Sequence, residues 1–264
     1  MTEFKKLKNH PLVCTLIEVR FSSVLNLEHY IPQIQDKVRH QYPLFDRDSE
    51  QAVNVGPSGI SVEKTHKYIF TTKDKMSNFQ LTPDRLVFIT KDYERFEGFA
   101  ERCEMLLSVV AETINPSLYS RLGLRFSDCI KSTTPGSDAE LMDLFNTKSV
   151  FFTPELSNLG RKATHRTETA IQVDDSVLVV RSVIGMTHMV TFEDLLQQKH
   201  VEIKPDEKPS VRVILDFDHF WQDEENQKDF NVDSIVASLH KLHETSRQAF
   251  WNVTSEYARE KVWS

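Results

Sequence analysis

The sequence predicts an α+β fold in which two similar β-α-β(n)-α units, residues 1–116 and 117–264, form an extended antiparallel sheet with long helices on one face. Three observations lead there. The stretch Tyr119-Ser-Arg-Leu-Gly-Leu-Arg-Phe-Ser-Asp-Cys-Ile130 alternates with period 2. Leu122, Leu124 and Phe126 fall on one side and Arg121, Gly123, Arg125 and Ser127 on the other, a strand with one apolar and one arginine-bearing face. Ile17-Glu-Val-Arg-Phe-Ser-Ser23 echoes Leu122-Gly-Leu-Arg-Phe-Ser-Asp128, 105 positions further on, with an identical Arg-Phe-Ser core. Each half then runs strand, helix, several strands, helix.

In chain order, residues 1–10 are a polar lead-in, and Pro11 opens a strand over Leu12–Ser22, a position where its missing N–H does little harm. A helix over Leu27–His40 follows, with Leu27, Tyr30, Ile31, Ile34 and Val38 on one stripe. Asp46–Gly59 reads as a polar loop, ahead of short strands at Ile60–Glu63, Lys67–Thr72, Ser77–Leu81 and Arg85–Thr90. The spacing of Phe96, Phe99, Cys103, Leu106, Leu107 and Val110 predicts a long helix over Tyr93–Ile114, stopped by Asn115-Pro116. After the central strand come a shorter helix over Asp138–Asn146 and an irregular apolar run, Phe151–Leu156. Strands over Ala163–Val173 and Ser176–Val190 flank an Asp174-Asp175 turn. A short helical piece, Phe192–Gln198, leads into a charged loop around Lys204–Pro209, then a strand over Val211–Phe220 and a last helix over Val232–Val262. This element order resembles the duplicated saddle of TATA-binding-protein-like folds, or a helix-grip arrangement.

Composition narrows the functional classes. Hydrophobic content of 39% and charged content of 27% fit a folded chain rather than a disordered one. A net charge of −7 argues against neutralising many duplex phosphates as the main activity, since that requires a basic face. No apolar run follows the early lysines and no window has the length a bilayer requires, so neither a signal peptide nor a membrane span is expected. Cys14, Cys103 and Cys129 are far apart and never in a Cys-x-x-Cys pair, which points away from disulfides and zinc and toward a cytoplasmic location.

Four spaced stretches carry a family resemblance: Asn9-His-Pro-Leu-Val13 running into Ile17-Glu-Val-Arg-Phe21, the central Arg121-Leu-Gly-Leu-Arg-Phe126, Leu215-Asp-Phe-Asp218, and Leu239-His-Lys-Leu-His243 followed by Phe250. With these the chain resembles a sporadically distributed, uncharacterised family of bacterial proteins of about this length. It departs from the family at Cys14-Thr15, where a more acidic or aliphatic pair is usual, and at His10, where proline is common. The resemblance implies a prokaryotic, patchily inherited gene of the sort carried on mobile-element or antiviral-defence islands. It implies no reaction.

The candidate binding residues lie on the polar face of the strands: Arg20, Arg121, Arg125, Arg166, Arg181, Arg212, Asp216 and Asp218, with Glu18 and Glu168 among them. If helices cover one sheet face, these side chains share the other. Buried guanidinium groups are costly unless paired, so this set is solvated, joined in cross-strand ion pairs, or matched to an anionic ligand, a nucleic acid or an acidic protein. Gly123 leaves a gap on that face through which a backbone or ligand can approach. Asp216 and Asp218 are two carboxylates on one strand, but no third ligand has a recognisable spacing, so no metal is predicted and Arg181 and Arg212 are their expected partners. His188, His240 and His243 read as structural, Cys129 as packing, and Trp263 as free to dock on a partner. No nucleophile motif and no phosphate-cradling glycine loop is present. The expected function is therefore a non-enzymatic binding or adaptor subunit with a protein partner and no cofactor. Its rivals are nucleic-acid or small-anion recognition, and an unrecognised enzyme.

Overall fold

The computed structural model describes residues 7–56, 59–133, 139–146, 164–196 and 200–264. It is an α+β structure with a ten-stranded antiparallel sheet. The strands are β1 (Leu12–Phe21), β2 (Leu44–Gly56), β3 (Gly59–Thr71), β4 (Ser77–Thr82), β5 (Arg85–Thr90), β6 (Leu118–Lys131), β7 (Thr164–Val173), β8 (Ser176–Thr187), β9 (Ser210–Gln222) and β10 (Lys228–Asp229). The helices are α1 (Leu27–Val38), α2 (Phe96–Thr113), α3 (Ala139–Met142), α4 (Glu193–Leu196) and α5 (Val232–Val253), with a π-helical turn at Ala258–Val262. Strand order is β2-β3-β4-β5-β1-β6-β9-β8-β7, with β10 paired to β6. Among the described residues no helix is long and apolar enough to cross a membrane.

The chain divides into two compact units. One, here the Glu18 unit, comprises Leu16–Gly123 and Trp221–His240; the other, the Asp216 unit, comprises Met1–Thr15, Leu124–Phe220 and Lys241–Ser264.

In the Glu18 unit α1 buries Leu27, Ile31, Ile34 and Val38, the stripe expected from its spacing save for Tyr30, which stays half-exposed. On α2, Phe96, Phe99, Cys103, Leu106, Leu107 and Val110 are all buried. Asn115 stops α2 as the sequence suggests: at φ 50 its N–H turns back to the Val110 carbonyl at 3.1 Å, closing the last turn, and Pro116 cannot continue the helix. The expected loop at Asp46–Gly59 is a correction. Leu44–Gly56 is a strand, in register with β3 from Leu44↔Thr71 to Gly56↔Gly59. It stands at the end of the strand order, where Leu44 and Phe45 remain exposed. None of Leu44–Ser49 is buried, and an edge stretch with so charged a sequence reads as a loop. The two short strands read at Ile60–Glu63 and Lys67–Thr72 are the single strand β3.

In the Asp216 unit, Val211, Val213, Leu215 and Phe217 of β9 alternate into a core with Ile130, Leu178, Ile184, Phe145 and Trp263. Trp263 is thus 5% exposed rather than free for a partner: its ring lies 5.8 Å from that of Phe250, and its carbonyl accepts from Asn9 N–H at 3.0 Å. The last helix is also interrupted. Thr254 turns its hydroxyl back to the Phe250 carbonyl at 2.7 Å and bridges Phe145, and Ser255 N–H goes to Leu144, so the ladder breaks where other backbone takes over. The helix read over Asp138–Asn146 shrinks to Ala139–Met142, and the expected run Phe151–Leu156 lies outside the described residues.

Candidate functional site

The candidate residues separate into two clusters, one in each unit. In the Glu18 unit a single carboxylate gathers three guanidinium groups. Glu18 Oε1 accepts from Arg20 Nε and from Arg121 Nε, both at 2.9 Å, and its Oε2 lies 3.6 Å from Arg85 Nη1. Arg121 Nη1 also donates to Gln222 Oε1 at 2.8 Å. The strands dictate this gathering: Glu18 and Arg20 are two apart on β1 and so share a face, while Ile17, Val19 and Phe21 are buried. The side chain of Arg20 is 41% exposed, and among the described residues its Nη groups have no hydrogen-bond partner. A guanidinium donates in a fixed fork, so half of that fork is presented to an incoming acceptor.

In the Asp216 unit the arginine face is closed over. Asp216 is fully buried, with Arg125 Nε on Oδ1 at 2.6 Å and Arg181 Nη2 on Oδ2 at 2.8 Å. Arg125 also forks onto Asp194 of α4, Nη1 at 2.5 Å and Nη2 at 3.2 Å. Arg181 lies 3.6 Å from Asp218 and stacks 5.3 Å over the ring of Phe192. Arg212, also fully buried, donates to Asp206 at 2.9 Å, to the Met189 carbonyl at 3.1 Å and to Ser210 Oγ at 2.6 Å. Asp206 in turn holds Lys131 at 2.6 Å, and Thr191 meets Ser127 at 2.6 Å. The bonds made by Met189, Thr191, Asp194 and Asp206 tie the described residues between His188 and Asp206 to the strands.

That covering corrects two expectations. The polar face is not open in this unit: Arg125, Arg212 and Asp216 are buried structural ion-pair members. Arg212, an expected partner of Asp216, is claimed instead by Asp206, and Arg125 takes its place. The apolar residues Val190, Leu195, Val201 and Ile203, all buried, are the sequence signal that the segment folds inward. They are too irregularly spaced to register as a helix or strand. Arg166 is exposed on β7 opposite Val183, and Glu168 lies opposite Arg181 in register.

The electrostatics of the buried network follow from its geometry. Burial opposes the Arg125 charge, but the hydrogen bonds and charges of Asp194 and Asp216 more than offset it, and its pKa is raised. Burial pushes Asp216 up while Arg125 and Arg181 pull it back; Asp194, although burial raises it, is carried below the usual carboxylate range by Arg125. Asp128 escaped the sequence reading. It is buried on β6, and burial, reinforced by the charge of Asp216, pushes it up to about 8. Burial likewise raises the Cys14 thiol to about 12, so it is no nucleophile.

His240 meets Phe96 edge-on at 5.0 Å, and His243 tilts against Phe126 at 5.9 Å. Buried His219 bonds Ser176 Oγ at 2.9 Å and the Leu242 carbonyl at 3.0 Å, joining the β7–β8 turn to α5. Among the described residues no group of three His, Cys, Asp or Glu is placed to hold a metal. Comparison with protein-family models and with curated proteins yields no match.

Proposed function

We propose that the chain is a non-enzymatic binding or adaptor subunit of a multi-protein complex, docking an acidic partner on the guanidinium cluster around Glu18. The observation that carries this reading is the half-occupied fork of half-exposed Arg20 beside Arg85 and Arg121, three cations about one carboxylate. A carboxylate on a partner completes the Arg20 fork with charge-assisted hydrogen bonds. The neutralised arginines of the Asp216 unit are then scaffold, and Arg125, Arg181, Arg212, Asp216 and Asp218 leave the set of recognition residues.

The finer architecture we propose is a duplication of one β-α-β(n)-α unit, saddle-like in the TATA-binding-protein sense, over residues 1–116 and 117–264. Strand order supports it: outward from β1 come β5, β4, β3 and β2, and outward from β6 come β9, β8 and β7, each in reverse chain order. The resemblance of the four sequence stretches to a patchily inherited bacterial family supports a place in a cytoplasmic defence or mobile-element module.

The test is recovery of partners from native cells with the wild-type chain and with an Arg20→Glu, Arg85→Glu variant, identifying what co-elutes. A specific partner lost with the double variant, while Arg166→Glu retains it, supports the reading; equal recovery by all three overturns it. The same Arg20 fork also fits a phosphate, which favours a second reading, nucleic-acid recognition. Oligonucleotide binding that weakens steeply with salt and disappears in the double variant would establish that instead.

A further inference from the structure

A cavity of about 380 Å³ opens in the Glu18 unit, separate from the residues that hold Glu18. Tyr42 beyond α1, Asp74 in the β3–β4 turn, Asp92 beyond β5, and Glu101, Arg102 and Met105 on α2 contribute to its wall. The volume is within the range of small-ligand sites. Its charges do not balance, for three carboxylates face one guanidinium. Arg102 is already answered by Asp92, to whose carbonyl Nη2 donates and whose carboxylate lies 3.4 Å from Nη1. Asp74 is held charged, below the usual carboxylate range, by hydrogen bonds from Thr72 Oγ1 at 2.6 Å and Met76 N–H at 3.0 Å. Glu101 has no ion pair or hydrogen bond among the described residues.

Tyr42 adds a phenol to this wall. It is 3% exposed, with its ring edge-on to Phe79 at 5.1 Å, yet among the described residues its hydroxyl has no hydrogen-bond partner. Its oxygen is not sealed from solvent: it keeps contact with the space that the cavity opens. Burial raises its pKa well above the usual tyrosine value, so the oxygen is a neutral acceptor and donor at physiological pH.

We propose that this cavity binds the primary ammonium group of a small aliphatic polyamine. An ammonium offers three donors and no acceptor, which matches a wall of carboxylates and one unclaimed phenolic oxygen. Glu101 and Asp74 supply the opposing charge, the Tyr42 hydroxyl accepts one N–H, and Met105 bounds the hydrocarbon stem. An anion is excluded by the same carboxylates.

The test is calorimetric titration of the full chain with spermidine, comparing wild type with Tyr42→Phe, Glu101→Gln and the control Glu104→Gln, an exposed α2 residue that does not line the cavity. Tyr42→Phe keeps the ring against Phe79, and Glu101 is exposed, so both variants are expected to fold. Saturable one-site binding, weakened about fivefold or more by each cavity variant and unchanged by Glu104→Gln, is the expected result. Equal affinity in all four chains, the mark of diffuse attraction to an acidic protein, overturns the proposal, as does absence of saturable binding to the wild type.

Discussion

Asp128 shows how one buried carboxyl shapes the stability of the molecule. Its folded pKa, about 8, stands above the ordinary 3.8, so between those values the folded chain keeps a proton that the unfolded chain releases. Stability from this group is complete below the unfolded value and is lost as pH rises through the folded one. Over that interval the loss approaches about 5 kcal/mol at most. Asp128→Asn, which fixes the neutral form, is therefore expected to flatten the decline in urea midpoint between pH 5 and 8 and to raise the midpoint at pH 8. His219 slopes the other way. Burial lowers its pKa below 6.5, so its contribution is complete above that value and falls as the pH drops through the folded one. A wild-type profile rising steadily to pH 8 would count against the assignment for Asp128. Trp263 belongs at this scale too: Trp263→Ala opens the core of the Asp216 unit and is expected to cost about 3–5 kcal/mol in equilibrium unfolding.

Among the elements, those with strong periodicity were legible and those lacking it were not. The stripe of α2, the alternation of β6 and β9 and the Asp174-Asp175 turn, with Asp174 at φ 48, all follow from local sequence. β2 was hidden because its first half, Leu44–Ser49, is charged and buries no side chain, and the end of α5 because its interruption comes from the backbone around Leu144, distant in sequence. The segment over the Asp216 face was hidden for a related reason: its anchors from Asp194 to Arg125 and from Asp206 to Lys131 connect positions far apart in the chain. The alternation placed Arg121 and Arg125 on one strand face but could not show that one stays accessible and the other is roofed. The segment itself offers a test. Asp194→Asn removes half of a bidentate pair and leaves Arg125 buried with less compensation, so it is expected to raise proteolytic cleavage between residues 187 and 206 without unfolding the unit. Unchanged cleavage would mean that the apolar anchors Val190, Leu195, Val201 and Ile203 hold the segment alone.

At the scale of the molecule, arginines of similar sequence context do opposite work. Arg125 and Arg212, buried and engaged by carboxylates and a carbonyl, hold the Asp216 unit together, and removing one partner from such a buried pair costs about 3–5 kcal/mol because the other charge is stranded. Arg20, half-exposed and only half engaged, contributes about 0–1 kcal/mol to folding. Equilibrium urea unfolding of Arg125→Ala and Arg20→Ala, read against wild type, tests this division most directly. A loss of about 3 kcal/mol or more for Arg125→Ala beside less than about 1 kcal/mol for Arg20→Ala is the expected result; equal losses, or a larger one for Arg20→Ala, would contradict it.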